Sequence, residues 1–420
     1  MSEPAYPQPI VLVGLMAVGK STVGRALAER LDYRFVDNDA GIETEYDATG
    51  RELADRFGVE ELHRIEAAQF QNALTSFGSE PVVIAAAASV VEDETCRAQL
   101  ISHTVVWLRA EPAYLAERMR RGEHRRSLGP EPEQLMAVQA RVRFPHFEAV
   151  ADVTIRVEGR SVHDIVEEIC RRLAPLPRLY TDLAGWFHLL TAPSDYAEEA
   201  AFYLAELQDA AARPIETLLE LGSGGGNNAS HLKRNAALTL VDVSPAMLEV
   251  SRSINPECEH LVGDMRTFRL GRLFDAVFVH DAVGYLTTEG DLRAAIETAA
   301  RHCRPGGAVL FAPDEVVETF RPGTDSGGHR AGSRSLRYES RTWDPDPRDS
   351  TYLMEMTCWL EENGITEVVS EAHELGLFPR ATWLDAMAEA GLRASVVPSE
   401  HSEQDHVIDI FVGVPENPVR

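Results

Sequence analysis

The chain has 420 residues, a formal net charge of −27 and a hydrophobic fraction of 44%. This length predicts two or three domains, each with enough apolar residues to bury a core. The acidic balance argues against nucleic-acid partners, which need clustered Lys and Arg. A membrane partner is not expected either, since the sequence has no run of about 20 apolar residues.

The cysteines and the N-terminus indicate a cytoplasmic protein. The five cysteines are widely spaced and form no CxxC pair, so we expect neither disulfides nor a zinc site. The polar, proline-containing first residues lack the basic region of a secretory signal. We expect small-molecule substrates as partners, and the sequence does not indicate an oligomeric state.

The first part of the chain alternates between strand-like and helix-like segments. Its clearest segments are an apolar run over 9–14, a helix-like stretch from Ser21 to Leu31, and strand-like runs at Val82–Ile84 and Thr104–Trp107. This alternation predicts an α/β fold with a parallel sheet and crossover helices. Prolines at 175 and 177 interrupt the pattern, so we place the domains at 1–176 and 177–420.

The alternation restarts after this break. Strand-like segments lie at Thr217–Glu220, Leu238–Asp242, Phe274–His280 and Ala308–Phe311. Residues 321–350 are rich in Gly, Pro, Ser, Arg and Asp, which predicts a long loop. We expect this loop and residues 351–400 to build a substrate pocket over the carboxyl ends of the strands.

A phosphate-loop pattern follows the first strand. Residues 14–21 read GLMAVGKS, which fits GxxxxGK[ST]. Backbone N–H groups in such a loop point at phosphate oxygens, the lysine neutralises the β- and γ-phosphates, and the serine hydroxyl ligates Mg²⁺. The predicted ATP-binding residues are Gly14, Gly19, Lys20, Ser21 and Thr22, with Ser21 also a metal ligand. The alternative is a glycine-rich turn with an exposed lysine.

Lysine usage favours the phosphate loop. Lys20 and Lys233 are the two lysines of the chain, and the other 38 of its 40 basic residues are arginine. A lysine kept against this background is a candidate for chemistry that guanidinium cannot perform.

Two carboxylates follow the next strand-like segment. Asp37 and Asp39 are one residue apart, so in a strand they would point to the same side of the sheet. One could then hold Mg²⁺ through water and the other could accept a proton from a hydroxyl. The alternative is a solvated turn in which an aspartate caps a helix.

Together these features make residues 9–173 resemble shikimate kinase. The matching segments are Gly14–Thr22, the Asp37/Asp39 pair, Gly58–Glu66, Arg118–Arg126 and Arg143–Pro145. The resemblance implies a P-loop kinase-like sheet in which Asp37 assists Mg²⁺, Asp39 binds the acceptor hydroxyl, Arg126 covers the transferring phosphoryl group and Arg143 pairs with a substrate carboxylate. Arg125 is a substitute for Arg126, and the arginine-rich stretch could instead be an exposed helix face.

Two departures from the family concern the acceptor. The arginine that holds the shikimate carboxylate in the family is replaced by His63, with Arg64 beside it, and three family glycines are replaced within Ala85–Ala88. Histidine does not reproduce a bidentate arginine grip, and alanine keeps the backbone farther from a ligand. We therefore expect a small hydroxylated acceptor other than shikimate. A domain that binds nucleotide without turnover, and shikimate kinase itself, are the alternatives.

A second glycine loop follows the strand at Thr217. It reads ELGSGGG over 220–226, and Asp242 lies 20 residues after Gly222, where an acid reaches ribose hydroxyls. Asn227 stands where a dinucleotide fingerprint needs glycine. Glu220 suits an amino or ribose contact better than a pyrophosphate. The pattern therefore favours S-adenosylmethionine over NAD.

Residues 195–315 resemble class I S-adenosylmethionine-dependent methyltransferases of the sugar- and amine-modifying type, with a Rossmann-like sheet. The segments that carry this resemblance are Glu220–Gly226, Val241–Met247, Gly263–Met265, Phe274–Val277 and Arg304–Gly307. It implies that Gly222 and Gly224 approach the cofactor, Asp242 binds ribose, Asp264 and Met265 flank adenine, and His280 lies near the donor sulfonium. The sequence leaves N- and O-methylation open.

These patterns predict a bifunctional enzyme. One domain would phosphorylate a small hydroxylated metabolite with ATP and Mg²⁺, and the other would methylate a small molecule. The alternative is an active methyltransferase whose N-terminal module binds nucleotide without catalysis.

Overall fold

The computed structural model describes residues 9–77, 80–121, 132–399 and 407–416. The chain divides into two compact units, Met1–Pro175 and Leu176–Arg420, one residue from the predicted domain boundary. In the part of the chain that the structure describes, no helix is long and apolar enough to cross a membrane.

The first unit is a parallel five-stranded sheet flanked by helices, in the strand order β2-β3-β1-β4-β5. Its strands are β1 (Ile10–Val13), β2 (Arg34–Asp37), β3 (Val82–Ala85), β4 (Thr104–Arg109) and β5 (Val153–Arg156). Its helices are α1 (Lys20–Leu31), α2 (Asn38–Tyr46), α3 (Gly50–Phe57), α4 (Val59–Ser76), α5 (Glu94–Leu100), α6 (Pro112–Arg121), α7 (Pro132–Val150) and α8 (Val162–Leu173). Strands β1 and β3 are buried along their whole length, which explains their uninterrupted apolar sequences. The predicted parallel α/β sheet is confirmed.

The second unit contains a seven-stranded sheet in the order β16-β17-β10-β9-β6-β7-β8. Its strands are β6 (Thr217–Leu221), β7 (Ala237–Asp242), β8 (Glu259–Val262), β9 (Phe274–Val279), β10 (Cys303–Phe311), β16 (Leu392–Ser399) and β17 (Ile408–Pro415). The helices of this unit are α9 (Phe187–Leu190), α10 (Ala197–Ala210), α11 (Asn227–Leu232), α12 (Pro245–Ile254), α13 (Glu289–His302) and α14 (Arg380–Glu389). Strands β6 to β10 pair in parallel, whereas β17 is antiparallel to its neighbours β10 and β16.

A third, antiparallel sheet corrects the prediction of a long loop over residues 321–350. Its strands are β11 (Gly323–Gly327), β12 (Arg330–Ala331), β13 (Arg334–Trp343), β14 (Thr351–Glu362) and β15 (Ile365–Gly376). Every residue of β11 is exposed, so this strand carries no alternation of apolar and polar residues. Its backbone hydrogen bonds to β13 hold it in the sheet, and the composition of the segment concealed this pairing.

Two candidate cofactor sites

The phosphate loop connects β1 to α1 and needs glycine at both ends. Gly14 and Gly19 have φ angles of +146° and +110°, which side chains rarely allow. A side chain at Gly14 would also meet the Leu108 carbonyl oxygen at 2.5 Å. The loop therefore packs tightly on β4, and its backbone can approach a ligand closely.

Positive charge surrounds this loop. The Lys20 ammonium donates to the carbonyl oxygens of Gly14 at 2.9 Å and Leu15 at 3.3 Å, so it lies over the loop. Helix α1 begins at Lys20 with no side-chain cap and no acidic residue in its first turn, so its positive end is unopposed within the helix. Arg118 donates to the Val18 carbonyl oxygen at 3.3 Å. These features fit a triphosphate, with Ser21 and Thr22 in the first helical turn.

The structure does not confirm four of the residues predicted for the first unit. Arg126 and its substitute Arg125 lie outside the described residues. The strand argument for Asp37 and Asp39 is wrong, because β2 ends at Asp37 and Asp39 belongs to α2. The Asp37 carboxylate accepts a hydrogen bond of 3.1 Å from the Asp39 N–H and caps α2, as in the alternative interpretation.

We call the region around the predicted substrate residues Asp39, His63 and Arg143 the acceptor side. Glu66 is the central acid of this region, and the sequence analysis did not single it out. It accepts a hydrogen bond from the Ser89 hydroxyl. Burial raises the Glu66 pKa to about 7, the Ser89 bond opposes this rise, and the charges of Asp39, Arg143 and Lys20 also act on it. The acceptor side is therefore contiguous with the phosphate loop through these groups.

The arginine predicted to bind substrate, Arg143, already forms an ion pair within the protein. The Arg143 side chain is 7% exposed, and its Nε lies 2.6 Å from Oε1 of Glu92. The other Glu92 oxygen lies 4.0 Å from Nδ1 of His63. Burial lowers the His63 pKa, although Glu92 opposes this shift. Arg143 and His63 thus converge on a carboxylate that the protein itself supplies, and a substrate carboxylate as the partner of Arg143 stays a prediction.

The remaining acceptor residues lie differently from the prediction. Arg64 is 71% exposed, and its ion-pair partner is Glu61, on the preceding turn of α4. The methyl groups of Ala86 and Ala87 belong to the hydrophobic core, whereas Ala88 is half-buried. Most of the methyl groups that replace the family glycines therefore face the interior of the unit rather than a ligand.

The second glycine loop lies at the carboxyl end of β6. Gly222, Gly224 and Gly226 have φ angles of +76°, +52° and +77°. A side chain at Gly222 would contact Ala282 and would meet Met265 Cε at 2.8 Å. Met265 therefore lies beside the loop, and its contact with adenine stays a prediction. The carboxylate of the neighbouring Asp264 is held by Arg266 at 2.6 and 2.9 Å.

Asp242 anchors this loop to the end of β7. Its two carboxylate oxygens accept hydrogen bonds of 2.8 Å from the N–H groups of Gly224 and Ser244. Ser244, not Asp242, caps α12 through a bond from the Met247 N–H at 3.1 Å. Asp242 is therefore held by the glycine loop and does not cap this helix. Burial raises the Asp242 pKa against the effect of these hydrogen bonds.

Glu220 is a buried acid with an unused acceptor. It is 3% exposed, and its Oε2 has no hydrogen-bond partner among the described residues. Burial raises its pKa to about 8, while the charge of His280 opposes this rise. The Ser223 hydroxyl and the Asn227 amide oxygen are likewise buried without a partner in the described part of the chain. Such orphaned polar atoms are costly, so they fit a ligand with amino and hydroxyl groups.

His280 lies beyond β9 in a network of acids. Its ring nitrogens lie 3.0 Å from Asp281 and 3.5 Å from Glu199, and its Nε2 is 3.2 Å from the Tyr203 hydroxyl. Burial disfavours the charged ring, but the charges of Asp281 and Glu199 outweigh it and raise the His280 pKa to about 10. At neutral pH this side chain is therefore a cation.

Asp314 is the second acid that sequence analysis missed. It lies three residues beyond β10, and a hydrogen bond joins it to Asp281. The Asp281 side chain is 45% exposed, so solvent and ligands can reach this pair of acids. Burial and the neighbouring Asp281 charge raise the Asp314 pKa well above its usual range. Its position after a parallel strand is a signal that could have found it.

Comparison with known proteins assigns each unit separately. The shikimate kinase family matches residues 16–174, and a methyltransferase domain family matches residues 218–307. Shikimate kinase of Symbiobacterium thermophilum is 40% identical over 170 residues, which are 39% of this chain and 95% of that protein.

The second unit is similar to sugar-modifying enzymes. The dTDP-3-amino-3,4,6-trideoxy-alpha-D-glucopyranose N,N-dimethyltransferase of Streptomyces venezuelae is 32% identical over 224 residues, which are 53% of this chain and 92% of that protein. The crystal structure of Streptomyces venezuelae DesVI superimposes with a TM-score of 0.51 and 29% identity, over 56% of this chain and 99% of that chain.

The chain therefore belongs to the shikimate kinase family through its first unit and to the S-adenosylmethionine-dependent methyltransferases through its second. It is a transferase, and both predicted resemblances are confirmed. The methyltransferase relatives support S-adenosylmethionine as the cofactor of the second unit.

Proposed function

We propose that the chain is a multifunctional enzyme. Its first unit would transfer the γ-phosphoryl group of ATP, with Mg²⁺, to a hydroxyl of a small metabolite. Its second unit would transfer a methyl group from S-adenosylmethionine to the amine of an amino sugar or of a closely related small molecule. The observation that carries this proposal is that each unit holds its own glycine loop after a buried strand, with Lys20 over one loop and Asp242 tied to the other. We propose small molecules as its partners and the cytoplasm as its location.

The first unit would position ATP and the acceptor and neutralise the charge of the phosphates. Bound ATP supplies the phosphoryl group, and phosphoryl transfer asks the protein mainly for alignment and electrostatic stabilisation. Lys20 and Arg118 would face the phosphates. Ser21 would ligate Mg²⁺, and Asp37 would hold it through water. Among the described residues no group of three His, Cys, Asp or Glu side chains forms a metal cage. Mg²⁺ bound with phosphates needs only one or two protein ligands, so this finding agrees with the proposal.

The second unit would recognise the methyl donor and align the acceptor. Bound S-adenosylmethionine supplies an electrophilic methyl group. Asp242 would accept hydrogen bonds from ribose hydroxyls, and Glu220 would face the cofactor's ammonium group. Amine methylation is the better fit, because the relatives of this unit are N,N-dimethyltransferases of amino sugars. The acids beside His280 raise its pKa, which makes the ring a poor base for a hydroxyl acceptor.

The acceptor preference can be tested directly. We expect release of S-adenosylhomocysteine with dTDP-3-amino sugars and much slower release with the matching dTDP sugars that carry a hydroxyl in place of the amine. Equal rates with both sets would contradict N-methylation. Methyl incorporation into bulk RNA, DNA or protein instead would contradict a small-molecule acceptor.

Binding of S-adenosylmethionine is expected to release a proton at about pH 7. The Glu220 carboxyl, with a pKa of about 8, is mainly protonated there, and the incoming ammonium would favour its ionised form. Release should approach one proton at about pH 7 and vanish at about pH 9, where the carboxyl is already ionised. Calorimetry in buffers of different ionisation enthalpy measures this number. The same number for Glu220→Gln as for the parent would exclude Glu220 as the source.

His280→Gln is expected to lower the methyl-transfer rate by less than about 100-fold, because the ring is a charged positioning group rather than a base. The pH–rate profile of the parent should show no inflection near the ordinary histidine pKa, since the His280 pKa is about 10. An inflection between about pH 6 and 7 that disappears in the variant would contradict this assignment.

A second candidate function is an active methyltransferase with a silent nucleotide-binding module. The Arg143–Glu92 ion pair favours it, because it removes the predicted grip on a substrate carboxylate. ADP release with amine-bearing and neutral polyols separates the two. Tight MgATP binding without ADP release from any of them would favour the silent module.

A further inference from the structure

The acceptor side of the first unit carries several acidic groups. Glu92 contacts Arg143 and faces His63 there, and the charges of Asp39, Arg143 and Lys20 act on Glu66. Lys20 lies over the phosphate loop. Arg143 is already neutralised by Glu92, and burial keeps the His63 ring mainly neutral by lowering its pKa. With Lys20 set against the phosphates, the Asp39 carboxylate and the partly ionised Glu66, whose pKa is about 7, leave the acceptor side negative. An acceptor with its own carboxylate would bring a further negative charge into this region.

Glu92 is positioned to control the net charge on the acceptor side. It ends a 3₁₀ turn that follows β3, and its backbone carbonyl oxygen accepts a hydrogen bond of 2.9 Å from Arg97. One carboxylate oxygen contacts Arg143 and the other faces His63. The Glu92 side chain is 33% exposed, whereas that of Arg143 is 7% exposed. A ligand that approaches from solvent therefore meets the acid before the arginine.

A carboxylate ligand would have to displace Glu92 to reach Arg143. The displaced Glu92 would then lose its cationic partner and lie beside a second carboxylate, so like-charge repulsion opposes the exchange. An ammonium group gains from the same arrangement, since Glu92 can accept a hydrogen bond from it while keeping Arg143 as a partner.

We propose that the first unit phosphorylates a hydroxyl of an amine-bearing polyol rather than of a hydroxycarboxylate, and that Glu92 sets this preference. The inference rests on the proposed kinase function of this unit. The acceptor oxygen would bond to the γ-phosphorus as the bond from this phosphorus to the bridging oxygen breaks. ADP would leave, and the hydroxyl proton would pass to Asp39 or Glu66. An amine-bearing acceptor agrees with the amine proposed for the second unit.

The test compares glucosamine and shikimate as ligands by calorimetry on the full chain, without nucleotide. The unaltered chain should bind glucosamine more tightly than shikimate. Glu92→Gln frees Arg143 and should raise shikimate affinity by about tenfold or more while weakening glucosamine binding. Glu167→Gln is the matched control, because it removes a glutamate from an exposed pair with Arg30 on the same unit, away from the acceptor side. It should leave both affinities unchanged.

A double variant shows whether Arg143 is responsible. Glu92→Gln/Arg143→Gln should lose the gain in shikimate affinity, and it leaves no unpaired charge if the single variant fails to fold. Tighter binding of shikimate than of glucosamine to the unaltered chain would overturn the proposal. So would an unchanged shikimate affinity in a folded Glu92→Gln chain.

MgATP titrations separate this inference from the proposed function. If the unaltered chain and Glu92→Gln bind MgATP equally but their shikimate affinities are the same, only the inference fails. If the unaltered chain does not bind MgATP, the proposed kinase function fails, whatever the acceptor affinities are.

Discussion

Lys20→Ala is expected to weaken MgATP binding by about 10–100-fold and to lower phosphoryl transfer by about 10²–10³-fold. The ammonium lies over the phosphate loop, where it can reach a bound triphosphate. Removing it leaves the loop amides and the helix terminus, which still attract phosphate, so we expect residual binding. Calorimetry with MgATP and an ADP-release assay measure the two effects.

The other lysine provides a matched control. Lys233 donates to the Ile254 carbonyl oxygen at 2.7 Å and pairs with Glu257 in the second unit. Lys233→Ala should leave MgATP affinity unchanged. Equal MgATP affinity in Lys20→Ala and the unaltered chain would show that the lysine has no role in phosphate binding.

Asp242→Asn is expected to weaken S-adenosylmethionine binding by about 10–100-fold. Both carboxylate oxygens accept hydrogen bonds from backbone N–H groups, and an amide nitrogen cannot replace either acceptor. The substitution would therefore disturb the Gly224 loop as well as the proposed ribose contact. Calorimetry with S-adenosylmethionine gives the affinity, and thermal unfolding reports the effect on stability.

Asp209→Asn is the control for this substitution, since Asp209 is exposed near the end of α10. It makes the same chemical change without touching the loop. Full S-adenosylmethionine affinity in a folded Asp242→Asn chain would contradict the assignment of Asp242 to cofactor binding.

Much of the fold could be predicted because buried parallel strands are apolar along their length. Val82–Ile84 and Phe274–Val279 show this pattern, and both are central strands. The sheet that contains β11 and β13 could not be predicted in the same way. β11 is exposed throughout, so its place depends on backbone pairing with β13 rather than on a pattern of apolar residues.

The donor loops were easier to predict than the acceptor sites. Lys20 lies in one strand–loop–helix connection, and Asp242 ends the strand next to β6, at a fixed spacing of 20 residues from Gly222. The ion pair between Glu92 and Arg143 spans 51 positions of the chain, and no local spacing signals it. The acceptor side is built by tertiary contacts, so the sequence alone suggested altered specificity without showing how it arises.

The most direct test of two group transfers in one chain uses ATP labelled at the γ-phosphate and S-adenosylmethionine labelled in the methyl group. Both are incubated with the full chain and a pool of amino sugars and their dTDP derivatives, and products are separated by mass. We predict small molecules that carry the phosphoryl label and small molecules that carry the methyl label, with Lys20→Ala losing only the first. Methyl-labelled products alone, from a chain that binds MgATP, would contradict the account.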